Sequence, residues 1–160
     1  GEDTLSLHDA LPILFWLRPA HQEDGPFLFD LRNNPDVYAY FLQSGPVDAE
    51  SHRAWYAKTL ADQSKDVLIV ENEDGRMGLL RFEAEGDASM ISISLYPGVS
   101  GQGWGSKVLE AGIAWFGRRR PETKILLARI LPQNAPSLRI FAKTGFKPVD
   151  ATTYVLTLND

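Results

Sequence analysis

The chain has no cysteine. That excludes a disulfide framework, a thiolate zinc site and a cysteine nucleophile, and leaves nothing to indicate an oxidising compartment, so the cytoplasm is the expected setting. There is no apolar run approaching the roughly 20 residues of a membrane-spanning helix, and Glu2 and Asp3 stand where a secretory leader would carry positive charge. A soluble chain with no membrane partner is expected. Positive charge is also scarce: 16 Lys and Arg against 21 Asp and Glu give a net charge of −5. A nucleic-acid surface needs a net basic stripe, so none is expected, and any anionic ligand must be met locally. What remains is ample for a core, since 160 residues of which 44% are apolar match the length and composition of one domain.

Residues 1–13 show no clear period and are read as an N-terminal extension; DTLSLHDALPI resembles translated sequencing-adapter read-through, and no function is placed on it. A single domain is expected over residues 14–160, with no repeat, linker or low-complexity tract. LFWLRPA opens it as a strand, and Gln22 to Asn34 reads as a helix that stops at Asn34–Pro35. A second helix begins at Asp48 or Ala49 and carries Trp55, Tyr56 and Leu60. Strands Asp66–Glu71 and Arg76–Glu85 form a hairpin about the NEDG turn, and SMISISLY alternates Ile91, Ile93 and Leu95 on one face with Ser92, Ser94 and Tyr96 on the other. A third helix (SKVLEAGIAWFGRRR), a buried strand (KILLARIL), a fourth helix (SLRIFAK) closed by Gly145, and a last strand (TTYVLTL) complete the order β-αα-ββ-β-α-β-α-β. The fold class is α+β.

Between the SMISISLY strand and the third helix lies PGVSGQGWGSKVL, with glycines at 101, 103 and 105. Glycines there let successive N–H groups converge without Cβ clashes, and the helix adds its orphan donors and the positive end of its dipole. The loop reads as an anion cradle, the alternative being a plain tight connection from strand to helix. The order Gly105, Ser106, Lys107 is wrong for a P-loop and no candidate magnesium carboxylate follows on a buried strand, which disfavours nucleotide hydrolysis. Nor does it suit a dinucleotide fold, since it comes late and follows an antiparallel hairpin.

The stretch from Ser89 to Phe146 resembles the GNAT superfamily of acyl-coenzyme A N-acyltransferases, and the resemblance extends over nearly the whole chain after Ile13. The family's phosphate loop, [QR]-x-x-G-x-[GA], matches at Gly103 and Gly105, with Ser100 in place of the Gln or Arg. A second signature, N-x-x-[SA] followed by a short helix ending in Gly-Phe, matches at Asn134, Ser137 and LRIFAKTGF. By this resemblance the fold is a mostly antiparallel sheet flanked by about four helices, with two splayed parallel strands, SMISISLY and KILLARIL, forming the coenzyme site. The co-substrate is acetyl-CoA, with no metal.

The resemblance implies that the pyrophosphate is held by Ser100, Gly101, Gln102, Gly103, Trp104, Gly105 and Ser106, with the pantetheine arm beside Leu95 and Tyr96. Asn134, Ser137, Phe141 and Lys143 complete the coenzyme side, where Lys107, Arg139 or Lys143 would meet the 3′-phosphate. Amine acylation also needs a base and a proton source. Glu83, or Glu71, is the carboxylate expected to serve through water ordered by Ser92 and Ser94. The tyrosine that often acts as acid is replaced by Phe141, leaving Tyr154, Tyr96 or water. Tyr40, Phe41, Gln43, Ser44 and His52 are the candidate acceptor contacts, although His52 taken alone reads as a helix-surface residue rather than a ligand. NNPDVYAYFLQSGPVDAESHRAWYAKTL, with RFEAE and ISISL, resembles the branch that acetylates nucleotide-linked amino sugars of the pseudaminic acid type. Protein or peptide N-terminal acetylation, and a coenzyme-binding sensor with weak chemistry, remain open, as do a monomer and a homodimer.

Overall fold

A computed structural model describes residues 14–98 and 103–158. The elements in order are β1 (Trp16–Pro19), a 3-10 turn (Gln22–Asp24), α1 (Gly25–Arg32), α2 (Pro35–Tyr38), α3 (Ala49–Ala61), β2 (Lys65–Asn72), β3 (Gly75–Glu85), β4 (Ala88–Leu95), α4 (Trp104–Arg119), β5 (Ile125–Arg129), α5 (Ala135–Lys143), β6 (Lys147–Pro148) and β7 (Thr153–Thr157). One seven-stranded sheet runs β1-β2-β3-β4-β5-β7-β6, antiparallel throughout except for β4 against β5. This is the α+β architecture expected, with three local differences. The first helix is split into the 3-10 turn and α1, because Pro26 near the start of α1 lacks the N–H that would continue a helix through it. A one-turn helix, α2, follows Asn34, whose side chain caps the Asp36 amide. The two-residue strand β6 is too short to show an alternating pattern.

Two apolar layers cover the sheet. On one face Leu80, Phe82 and Ile91 pack against Val108, Leu109 and Phe116 of α4, with Phe82 stacked on Phe116 at 4.6 Å. Each such side chain contributes about 1.5–3 kcal/mol when removed from water. Gly112 lets α4 approach this closely, since a Cβ there would lie 2.5 Å from Leu80 Cδ1. On the other face Leu28 and Leu31 of α1 and Tyr56 of α3 close over Val67 and Ile69. The sequence reading placed Trp55 and Leu60 with Tyr56, yet the buried stripe of α3 is His52, Tyr56 and Thr59, while Trp55 and Leu60 are exposed. His52 is therefore not a surface residue: positions 52, 56 and 59 recur at helical spacing and face the sheet.

Asp24 ties this second layer to the sheet. Fully buried, it accepts from Arg18 Nη1 at 2.8 Å, Arg18 Nη2 at 2.7 Å and the His21 amide at 2.9 Å, with Arg76 Nε at 3.1 Å. Burial opposes its charge, but the hydrogen bonds from Arg18 and His21 and their charges outweigh that cost, holding the carboxyl below the ordinary aspartate value. Arg18 also reaches Glu71, so one guanidinium joins β1, the 3-10 turn and β2. Among the described residues no helix is long and apolar enough to cross a membrane.

Candidate active site

The sheet opens at its one parallel junction. Pairing between β4 and β5 is limited to Ser89 with Leu126 and Met90 with Leu127, whereas β4 continues to Leu95 and β5 to Arg129. The side of β4 from Ile91 onward thus has main-chain groups with no strand partner on β5, and groups of this kind require hydrogen-bond partners. A cleft of about 1270 Å³ fills the gap, floored by Met90 to Leu95 and bordered by Ala128 to Leu131.

At the far end of β4 the chain bends through Gly98 (φ 94°) and enters α4 after Gly103 (φ 83°), both left-handed conformations that L side chains adopt at a cost. Among the described residues helix α4 has no side-chain cap, and its first turn carries no acidic residue, so its leading N–H groups and dipole end can meet an anion. Gly103, Gly105 and Ser106 line the cleft, and Gly105 is needed where a Cβ would press on Ile140 at 3.1 Å. Trp104 instead packs on Phe15, at 5.9 Å, and on the core. Ser100, Gly101 and Gln102 lie outside the described residues.

Helix α5 forms the adjoining wall. Asn134 Oδ1 accepts from the Ser137 amide at 3.2 Å, so this pair caps the helix and faces the cleft together. Arg139 and Lys143 line the same wall; Lys107 lies outside it, 3.9 Å from Glu110. Phe141 is buried, edge-on to Phe146 at 4.9 Å, with its ring bordering the cleft.

The opposite half is roofed by α1, α3 and the loop after α2. Tyr40, Phe41 and Gln43 line it; Ser44 does not. Arg32 holds that loop by donating to the carbonyls of Gln43 and Gly45 at 3.0 and 2.8 Å, with its guanidinium 4.8 Å over Phe41. His52 borders the cleft between Phe29 and Trp55. Burial, aided by the Arg32 charge, lowers its pKa below the ordinary 6.5 and keeps the ring neutral. A depressed native pKa adds stability that is fully present above the unfolded value and is lost as pH falls through the native one. Urea unfolding between pH 7 and pH 5 should therefore show a decline in stability that is smaller in His52→Phe.

Of the expected chemical groups, Ser92 and Ser94 line the cleft. Glu83 sits on the sheet face shared with Arg81 but is 3.5 Å from Lys65, outside the cleft lining. Glu71 is engaged by Arg18 and Trp16. Tyr154 packs against the core from β7, and Tyr96 against Phe27 at 5.5 Å; neither lines the cleft. Leu95 does. Missing from the sequence reading were Asp36, Trp55 and Arg81, all of which border the cleft. Arg81 had a legible signal: it interrupts an apolar strand at a position whose neighbours two residues away share its face. Among the described residues no cluster of three or more His, Asp or Glu side chains could hold a metal ion.

The family profile for the acetyltransferase (GNAT) domain matches residues 15–147. A domain from Methanocaldococcus jannaschii superposes with TM-score 0.78 at 22% identity, covering 91% of this chain and 99% of its own. Spermidine N-acetyltransferase from Vibrio cholerae, in complex with CoA and spermine, gives 0.78 at 14% identity, covering 89% and 95%. An aminoglycoside acetyltransferase in complex with coenzyme A gives 0.78 at 18% identity, covering 90% and 95%. No curated protein matches the sequence.

Proposed function

The chain belongs to the GNAT acetyltransferase family and is an acyltransferase that uses acetyl-CoA, and from that premise we propose that it acetylates the primary amine of a small molecule, a nucleotide-linked amino sugar being the favoured acceptor. The supporting observation is the conjunction of a strand edge, Ile91 to Leu95, that β5 leaves unpaired, with a helix N-terminus at Gly103 that no described side chain caps. An amide-rich arm extends the first as an added strand, and a diphosphate meets the second. The residues present fit coenzyme A: Leu95 beside the arm, Gly103, Gly105 and Ser106 at the diphosphate, and Arg139 and Lys143 near the 3′-phosphate.

Bound there, acetyl-CoA supplies an activated acetyl group as a thioester. The neutral amine attacks the carbonyl carbon in a ternary complex; the C–N bond forms, the C–S bond breaks, and the sulfur leaves with its electron pair. One proton leaves nitrogen and one is taken up by the thiolate. Ser94, on the cleft floor, would order a water for the first transfer and pass the proton toward Glu83, which stands just outside the cleft lining beside Lys65. The second falls to water, because Phe141 has no proton to give and Tyr154 packs against the core outside the cleft lining. A cytoplasmic setting belongs to this reading.

Acetyl-CoA at a hundred times its dissociation constant should add about 2.7 kcal/mol to stability and raise the melting temperature by about 5–10 °C. Thiol release should follow when amino-sugar nucleotides are added. Phe141 motivates a second reading, a coenzyme-binding sensor, which predicts the thermal shift with zero turnover across amines and N-terminal peptides. Absence of both effects would refute the two readings together.

A further inference from the structure

The charges around the cleft do not match an acceptor rich in amines. Arg32, Arg81, Arg129, Arg139 and Lys143 border it, with Asp36 the sole carboxylate among the described lining residues. A polycation such as spermine, bound by the Vibrio cholerae enzyme, would meet like charge here.

Most of these cations already have a local task or a place on the coenzyme wall. Arg32 is spent on two loop carbonyls, and Arg129 on Glu85 at 2.9 Å. Arg81 differs. It projects from the middle of β3 beneath α3, with its guanidinium 5.4 Å from the Trp55 ring, and it makes no hydrogen bond or ion pair with the described residues. Its neighbour on the strand face, Glu83, is engaged by Lys65. Among the described residues no polar side-chain atom is sealed away without a partner, so the unpartnered N–H groups of Arg81 remain open to the cleft it lines. Ser92, its cross-strand partner, offers a hydroxyl on the same floor. A planar guanidinium fixed on an aromatic face and short of hydrogen-bond acceptors is a ready receptor for a paired-oxygen anion.

We propose that Arg81, braced on Trp55 and assisted by Ser92, is a specificity-determining residue that binds an oxyanion, phosphate or carboxylate, carried by the amine acceptor. The inference rests on the acetyl-transfer reading for its kinetic form, though not for the binding itself. It selects acceptors in which the reacting amine and an acidic group share one small molecule, and it rejects polyamines and aminoglycosides.

Glucosamine 6-phosphate, glutamate, uncharged glucosamine and spermidine, each with acetyl-CoA, test it against the wild type, Arg81→Ala and Arg81→Lys. One of the two anionic amines should exceed glucosamine in kcat/KM by at least tenfold, and which one does so separates phosphate from carboxylate. Arg81→Ala should lower kcat/KM for that anionic amine at least tenfold more than for glucosamine and so erase the advantage; Arg81→Lys should restore part of it. Preference for spermidine, or an equal loss on charged and uncharged acceptors, would overturn the assignment. Calorimetric titration of the two anionic amines covers the case of no turnover. Binding that Arg81→Ala abolishes then supports the anion site while acetyl transfer falls, and no binding of either removes the anion site.

Discussion

Replacing Gly103 with valine is expected to raise the KM for acetyl-CoA by about a hundredfold or more. The backbone there has φ 83° immediately before α4, a left-handed conformation that costs an L residue roughly 1–2 kcal/mol, and more when Cβ is branched. Relief of that strain rotates the first amides of the helix away from the bend, and each charge-assisted hydrogen bond lost costs about 1.5–3 kcal/mol. Together these exceed the 2.7 kcal/mol that corresponds to two powers of ten. The helix itself is anchored by Val108, Leu109 and Phe116, all fully buried, so the variant should still fold. Steady-state kinetics with acetyl-CoA varied, beside a melting curve, checks this. An unchanged KM would mean that the diphosphate binds elsewhere.

The second large effect concerns stability. Asp24→Ala removes the carboxylate that joins Arg18 and Arg76, and breaking a buried ion pair from one side typically costs about 3–5 kcal/mol, a large share of the roughly 5–15 kcal/mol that holds a domain together. The urea midpoint should fall accordingly, and Asp24→Asn, which keeps shape but not charge, should fall less. Because the native carboxyl titrates below its ordinary 3.8, its contribution is fully present above that value and is lost as pH falls through the native one. The wild type should thus lose stability steeply in that acid range, and Asp24→Asn should flatten the slope. Equal midpoints for all three proteins at neutral pH would show that the network carries no net stability.

Regular elements were legible where period and punctuation agreed. The alternation of SMISISLY and the glycine at position 145, which takes φ 101°, each mark a local choice that the backbone must make. Partners were harder to read. Glu83 and Tyr154 have the right chemistry for proton transfer, but Lys65 engages one and the core packs around the other. Those contacts join residues distant along the chain. Hydrophobicity alone puts His52 on the surface of α3, whereas helical spacing buries it at the cleft, where a neutral imidazole packs like an aromatic ring among Phe29, Trp55 and Tyr56. Arg81 was visible as a charge in a strand. Its lack of a carboxylate partner could only emerge from the tertiary arrangement.

Only two residue pairs between β4 and β5 join the four strands β1 to β4 to the three strands β5 to β7. A guest lying along β4 would add rungs at that seam, so occupancy would strengthen the weakest cross-section of the fold as well as deliver substrate. Proteolysis of the purified protein should accordingly slow as acetyl-CoA is added, because the seam opens less often when it is occupied.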